Sequence, residues 1–219
     1  MSKTVVLLSS GLDSTVNFYQ SLKLDTVQLA LTFDYGQRAS RQEILHAKDI
    51  CKSNGVAHQT VDVRWFRDFT KTSLVSRSSE VPQNIEIDNI SECHQTAKSV
   101  WVPNRNGIMI HIAAGFAEGL GADEIIVGFN KEEAATFPDN TQEFLDALNA
   151  SFQYSTLGKI KVKCYTTHMN KTEIVKLGKE LNVPFHKVWS CYLDGDKPCG
   201  TCESCLRLQR ALKENSISL

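Results

Sequence analysis

Apolar runs of strand length alternate with amphipathic stretches of helix length along most of this chain. Thr4-Val5-Val6-Leu7-Leu8 is apolar and β-branched with no polar alternation, the pattern of a strand buried on both faces. Val27 to Phe33, Gln59 to Val63, Glu124 to Phe129 and Ile160 to Tyr165 read as four further strands. Between them lie helical segments. Ser14 to Lys23 follows the first strand, and Arg41 to Ser53 sets Ile44, Ala47, Ile50 and Cys51 on one face before Asn54-Gly55 closes it. Gly107 to Gly119 is small-residue and Ala/Ile-rich, suited to packing on a sheet. Thr141 to Phe152 and Asn170 to Leu181 complete the set, the last stopped by Asn182 and Pro184. This alternation predicts an α/β fold with a doubly wound, mostly parallel five-stranded sheet. Ligands of such sheets sit at the carboxyl ends of the strands, where Ser9–Ser14, Asp34–Arg38 and Gly128–Asn130 fall. Residues 64–100 break the pattern with scattered Ser, Asp and Asn, and predict an insertion over the site, helical in part. Within it, Trp65 and Phe66 read as covering the sheet.

The end of the first strand carries the most specific chemistry. Small polar residues and Gly11 lead straight into a helix, so backbone N–H groups and the helix dipole can face an anion. The hydroxyls of Ser9, Ser10 and Ser14 can donate as well. The stretch lacks Gly-Lys-Ser/Thr and G-x-G-x-x-G, so it is neither a P-loop nor a dinucleotide fingerprint. Leu8 to Thr15 is nonetheless a candidate phosphate cradle; a plain polar turn with a serine cap is the alternative. It resembles the pyrophosphate loop of N-type ATP pyrophosphatases, usually S-G-G-x-D-S. Ser10 takes the place of the first glycine, which the loop tolerates if its φ is negative. Asp13, an anion beside phosphates, makes sense if it meets Mg²⁺; a carboxylate answering the helix dipole is the plainer role.

Composition narrows the class without naming a reaction. The chain has 219 residues, 42% hydrophobic and 22% charged, with 24 basic and 25 acidic residues for a net charge of −1. No basic field advertises nucleic acid. No signal-type segment and no membrane span is read, so a cytoplasmic location is expected. Four of seven cysteines crowd into the last 30 residues, which argues against a disulfide framework. The spacing of Cys191, Cys199, Cys202 and Cys205 suits a tetrahedral, closed and therefore structural zinc site. An iron–sulfur cluster is the rival, and a redox C-x-x-C pair a weaker one. Cys51 and Cys164 read as small core residues, and Cys93 fits no ligand spacing. The six histidines form no nucleophilic motif, and His111 reads as a core histidine.

Taken together, these features resemble the 7-cyano-7-deazaguanine synthase family. The matching residues are Ser9 to Ser14, Phe33-x-Tyr35-Gly36-Gln37-Arg38, Val102-Pro103-Asn104-Arg105-Asn106, Gly128-x-Asn130, Phe137-Pro138-Asp139, Asn170-Lys171-x-Glu173, and Trp189-Ser190-Cys191-Tyr192 running on to Pro198-Cys199-Gly200-x-Cys202-x-x-Cys205. The resemblance implies an adenine nucleotide α-hydrolase-like domain over about residues 1–185 and a small helical segment at 186–219 carrying one structural zinc on four cysteines. It implies a ligase that uses ATP to adenylate 7-carboxy-7-deazaguanine, adds ammonia to give the amide, and dehydrates the amide to the nitrile for queuosine biosynthesis. By the same resemblance Leu8 to Thr15 hold ATP with Mg²⁺, Asp13, Ser14, Lys171 and Arg105 are catalytic, and Arg38, Phe137 and Asp139 meet the substrate.

One departure stands out. The family often shows S-G-Y-P-D-C-R where this chain reads Ala134-Ala135-Thr136-Phe137-Pro138-Asp139-Asn140-Thr141. If the missing arginine holds the substrate carboxylate, Arg38, Arg105 or Lys131 must do so here. Competing readings are a related amide- or conjugate-forming ligase, a tRNA-thiolating pyrophosphatase, and a zinc-knuckle RNA-binding module drawing on Lys187, Lys197, Arg207, Arg210 and Lys213. No membrane or direct nucleic-acid partner is expected, and a homodimer is left open.

Overall fold

The strands assemble in the order their apolar runs suggest. In the computed structural model, which describes residues 1–218, they are β1 (Lys3–Leu7), β2 (Thr26–Asp34), β3 (His58–Asp62), β4 (Glu124–Ile126) and β5 (Lys161–Lys163). They form one five-stranded sheet in the order β3-β2-β1-β4-β5, every pair parallel. Register runs Lys3↔Thr26 to Leu7↔Leu31 on one side of β1 and Thr4↔Glu124 to Val6↔Ile126 on the other. The strand order reverses between β1 and β4, and the crevice at such a switch point is where doubly wound sheets bind ligands.

Side-chain alternation along β1 sends neighbours to opposite faces, and both faces are covered. Val5 joins one core with Leu31, Ile125, Ile110, Ala113, Leu145 and Phe152, so helices α4 (Arg105–Leu120) and α6 (Gln142–Ser155) lie on that side. Val6 and Leu8 join another with Phe18, Ala47, Ile50 and Cys51, so α1 (Leu12–Leu24) and α2 (Ser40–Ser53) lie on the other. Beside α1 pack α7 (Lys171–Glu180) and the C-terminal α8 (Glu203–Glu214), through Val16, Ile174, Val175, Ala211 and Leu212. A short helix α5 (Lys131–Ala134) follows β4. The insertion folds as a 3₁₀ turn at Arg64–Asp68 and helix α3 (Ile90–Val100).

β4 and β5 are shorter than their apolar runs. Past Val127, whose N–H still donates to the Lys163 carbonyl at 3.0 Å, the chain leaves the ladder and side chains take over its polar groups. The Phe129 N–H donates to Cys164 Sγ at 3.2 Å, Thr166 Oγ1 donates to the Phe129 carbonyl at 2.6 Å, and the Tyr165 N–H donates to Asn17 Oδ1 at 2.8 Å. Cys164 is therefore a half-buried polar linker rather than a plain core residue. His111 is exposed on α4 with Nδ1 against the Gly107 carbonyl, which corrects its reading as a core histidine. Phe66 is fully buried, but its stacked neighbour Trp65 is 48% exposed, so only one of the pair covers the sheet.

Candidate active site

A cavity of about 260 Å³ opens over the carboxyl ends of β1, β2 and β4. Ser9, Gly11, Leu12, Asp13 and Ser14 line its floor, with Leu8 beneath. The loop is braced from within: the Ser9 N–H donates to Ser14 Oγ at 3.2 Å, and the Ser14 hydroxyl donates to the Gly11 carbonyl at 3.2 Å. Gly128 explains how β4 comes so near. A Cβ there would meet the Ser14 backbone nitrogen at 2.4 Å, so only glycine lets the two strand ends close on the loop.

Ser10 departs from the negative φ expected of it. Its φ is +62°, the left-handed region, and its buried hydroxyl finds no partner among the described residues. A serine fills the glycine position at a backbone cost rather than by avoiding it. Ser10 and Thr15 turn away from the cavity and support the loop from behind, whereas the other loop residues line it.

The C-terminal segment fastens the same loop. The Trp189 N–H donates to the Ser10 carbonyl at 2.9 Å, and the Leu12 N–H donates to Ser190 Oγ at 3.2 Å. Trp189 and Ser190 adjoin Cys191, the first of the four cysteines. Sulfurs of Cys191, Cys199, Cys202 and Cys205 all lie within 4.8 Å of one another. The Cys191 thiol sulfur accepts the N–H groups of Leu193 and Cys199 at 3.4 Å, and the Cys199 sulfur accepts that of Cys202 at 3.3 Å. Four thiols so gathered, with N–H groups aimed at them, fit a four-coordinate metal centre with no open position.

Behind the loop sits an ion-paired triad. Lys171, the first residue of α7, is buried, and its Nζ reaches Asp13 Oδ2 at 2.5 Å and Glu133 Oε1 at 2.8 Å. A capping box places it: Asn170 Oδ1 accepts the Glu173 N–H at 2.9 Å and Glu173 Oε2 accepts the Asn170 N–H at 2.8 Å. Asn130 Nδ2 donates to Asp13 Oδ2 at 3.1 Å. Burial pushes the Asp13 carboxyl up to about 6 even with Lys171 beside it. Burial opposes the charge of Glu133 too, but Lys171 holds that carboxyl below the usual range. Burial works against the Lys171 ammonium, and the two carboxylates still carry its pKa above the ordinary lysine value. Asp13 Oδ1 is buried without a partner among the described residues.

The opposite wall is aromatic and carries the second cation. Trp101 and Phe137 stack at 5.9 Å with planes 9° apart. Arg105 starts α4 because Asn104 takes a left-handed φ of 51°, a conformation asparagine tolerates. Its guanidinium donates to Tyr35 Oη at 3.3 Å and to Asn106 Oδ1 at 3.2 Å, both neutral. Burial lifts the Asp139 carboxyl above its ordinary range, opposed by Arg105. Among the described residues that line the cavity, Arg105 and Lys171 are its two cations.

The structure thus brings Asp13, Ser14, Lys171, Arg105, Phe137 and Asp139 to one cavity and leaves Arg38 out of it. Arg38 donates from Nε to the Ser73 carbonyl at 2.8 Å and from Nη2 to those of Ser76 and Ser79 at 2.7 and 2.5 Å. It is committed to holding the insertion, so its expected contact with substrate is corrected. Lys131 is exposed and also outside the cavity. Sequence reasoning missed Glu43, Glu133 and Trp101. The first two carry no local motif; Trp101 adjoins the Val-Pro-Asn-Arg-Asn segment, which was the available signal.

Comparison with known proteins identifies the family. A sequence profile described as "Queuosine biosynthesis protein QueC" matches residues 3–216. A 7-cyano-7-deazaguanine synthase of Bdellovibrio bacteriovorus is 53% identical over 99% of this chain and 95% of its own length. The Carboxydothermus hydrogenoformans protein of the same name is 49% identical over 96% of this chain and 98% of its own. Among solved structures, a Methanocaldococcus jannaschii protein described as a predicted subunit of tRNA methyltransferase has a TM-score of 0.52 at 14% identity, covering 100% of this chain and 90% of that one, a likeness of fold alone. With its profile matched nearly end to end and relatives near half identical over their full lengths, the chain belongs to the QueC, or 7-cyano-7-deazaguanine synthase, family.

Proposed function

We propose that the chain converts 7-carboxy-7-deazaguanine, ammonia and ATP to 7-cyano-7-deazaguanine through an acyl adenylate and an amide. The observation that carries this reading is the Lys171 triad set directly behind a hydroxyl-rich strand-to-helix loop, in a family named for the reaction. The loop N–H groups and the hydroxyls of Ser9 and Ser14 would receive the departing pyrophosphate, and Lys171 would offset its charge. The unpartnered Asp13 Oδ1 fits a Mg²⁺ ion carried in with the triphosphate. The stack of Trp101 and Phe137 offers a flat apolar surface for the deazapurine, with Asp139 placed to accept from its amino edge. Arg105 would hold the substrate carboxylate: it faces the cavity with only neutral hydrogen-bond partners, whereas Lys171 is already paired twice. That assignment supplies the cation missing from the Asn140-Thr141 segment, where Thr141 instead caps α6. For the four-cysteine centre we propose zinc, which stabilises without taking part in chemistry.

The test is product analysis with the acid, ATP, Mg²⁺ and ammonium. AMP and pyrophosphate should form only with the acid present, followed by amide and then nitrile. ADP without AMP would exclude adenylation. Amide that never proceeds to nitrile would move the chain to a ligase of the amide alone. Asp13→Ala and Ser14→Ala should each lower turnover by about 100-fold or more in folded protein.

A further inference from the structure

Two of the cavity's four carboxylates, Asp13 and Glu133, are ion-paired to Lys171, and a third, Asp139, lies beside Phe137 in the aromatic slot. The fourth, Glu43, projects into the cavity from the first turn of α2 on the β2 side and forms no ion pair among the described residues. Its setting is built. Gln37 Oε1 accepts the Tyr35 N–H at 2.9 Å, and Gln37 Nε2 donates to the Phe33 carbonyl at 2.9 Å and to Glu43 Oε2 at 2.7 Å. Every polar atom of the Gln37 side chain is therefore oriented, and it fixes Glu43 by one oxygen. The other oxygen, Oε1, has no partner among the described residues and is not sealed from the cavity. The charged and titratable groups around it are Arg105 from α4, Asp34 at the end of β2, and Tyr35. Burial dominates their combined effect and brings the carboxyl up to about 7. A base of that strength exchanges protons readily at neutral pH.

The proposed reaction needs such a group. Ammonia reaches the protein mainly as ammonium, which has no lone pair to attack with. We propose that Glu43 is the catalytic base that takes the proton from the incoming nitrogen, with Gln37 as its positioning residue; this rests on the proposed ligase reading. One N–H bond of ammonium breaks to Glu43 Oε1. The freed lone pair forms the C–N bond at the acyl carbon, and the C–O bond to AMP breaks with its electron pair leaving on the phosphate. The amide nitrogen sheds its extra proton to solvent water, and Glu43 returns its own to solvent through the cleft. In the second round, adenylation of the amide oxygen releases one N–H proton to solvent and leaves an imidate with one N–H. Glu43 takes the last one as the C–O bond to AMP breaks, giving the nitrile, with no oxidant or reductant involved.

The experiment separates adenylation from nitrogen transfer in Glu43→Gln, which preserves shape and keeps an oxygen able to accept from Gln37. Acid-dependent exchange of labelled pyrophosphate into ATP reads the first half; amide formation from ammonium reads the second. Exchange should stay within about twofold of the parent, while amide formation falls by about 100-fold or more. The parent's amide rate should rise with pH through about 7, and the variant should lose that inflection. Hydroxylamine, a nitrogen nucleophile largely unprotonated at neutral pH, should restore acyl transfer in the variant to near the parental rate. Unchanged amide formation, parallel loss of exchange, or hydroxylamine transfer as impaired as ammonium transfer would each overturn the assignment. Absence of acid-dependent exchange in the parent would instead overturn the ligase reading beneath it.

Discussion

Ser10 holds a left-handed backbone and a buried hydroxyl without a partner, two costs at one position of the phosphate loop. The first is worth about 1–2 kcal/mol and the second about 1–3 kcal/mol, against about 0.5–1 kcal/mol of extra chain entropy for a glycine. Ser10→Gly should therefore raise the Tm of the nucleotide-free protein; a lower Tm would mean that the hydroxyl is bonded after all. Glu43 carries a cost of another kind. Its folded pKa of about 7 exceeds the ordinary value of 4.5, so between those values the folded chain holds the extra proton and loses stability as pH rises. The penalty is absent well below 4.5 and complete above 7. Glu43→Gln should thus leave stability near parental at pH 4.5 and raise it by about 1–3 kcal/mol at pH 8, measured by urea unfolding at each pH. Asp13, Ser14, Lys171 and Arg105 were legible in the sequence because each sits in a short run with its own chemistry. Glu43 and Glu133 were not: Glu43 is distinguished by its place in the cavity, and Glu133 by a partner 38 residues away. Arg38 was misread for the same reason: the carbonyls it holds lie 35 to 41 residues away.

Helix α7 shows how an element serves the site with its first turn. The capping box at Asn170 and Glu173 anchors the turn that carries Lys171 into the triad. Asn170→Ala should cost about 1 kcal/mol and loosen that turn. Pyrophosphate exchange should weaken with it, whereas a cap at an idle helix end would change stability alone. Among the described residues, the five strands and five of the eight α-helices were readable from the sequence pattern, because two-sided burial leaves unbroken apolar runs and one-sided burial leaves a helical stripe. The ends of β4 and β5 were not readable. There Asn17, Cys164 and Thr166 replace ladder hydrogen bonds with side-chain ones, an exchange that leaves hydropathy unchanged. The insertion's helix α3 was foreseen only as partial helix, although Cys93, Ala97 and Val100 line one buried face at helical spacing.

At the scale of the molecule, the four-cysteine segment and the phosphate loop form a single tie. The chain crosses from Ser10 and Leu12 through Trp189 and Ser190 to the thiols within a few residues. Cys202→Ser should drop metal content from near one per chain toward none by elemental analysis and lower the Tm with it. A metal-free parent protein of full stability would contradict that. The tie also carries an obligation of reciprocity. If the metal steadies the loop that receives nucleotide, then nucleotide must steady the metal by the same factor, since the two binding free energies share one coupling term. A chelator titration with and without ATP, set against ATP affinity with and without metal, would read that factor from both sides. A metal that takes no part in the reaction would then act as an effector of substrate binding through two hydrogen bonds to one turn of backbone.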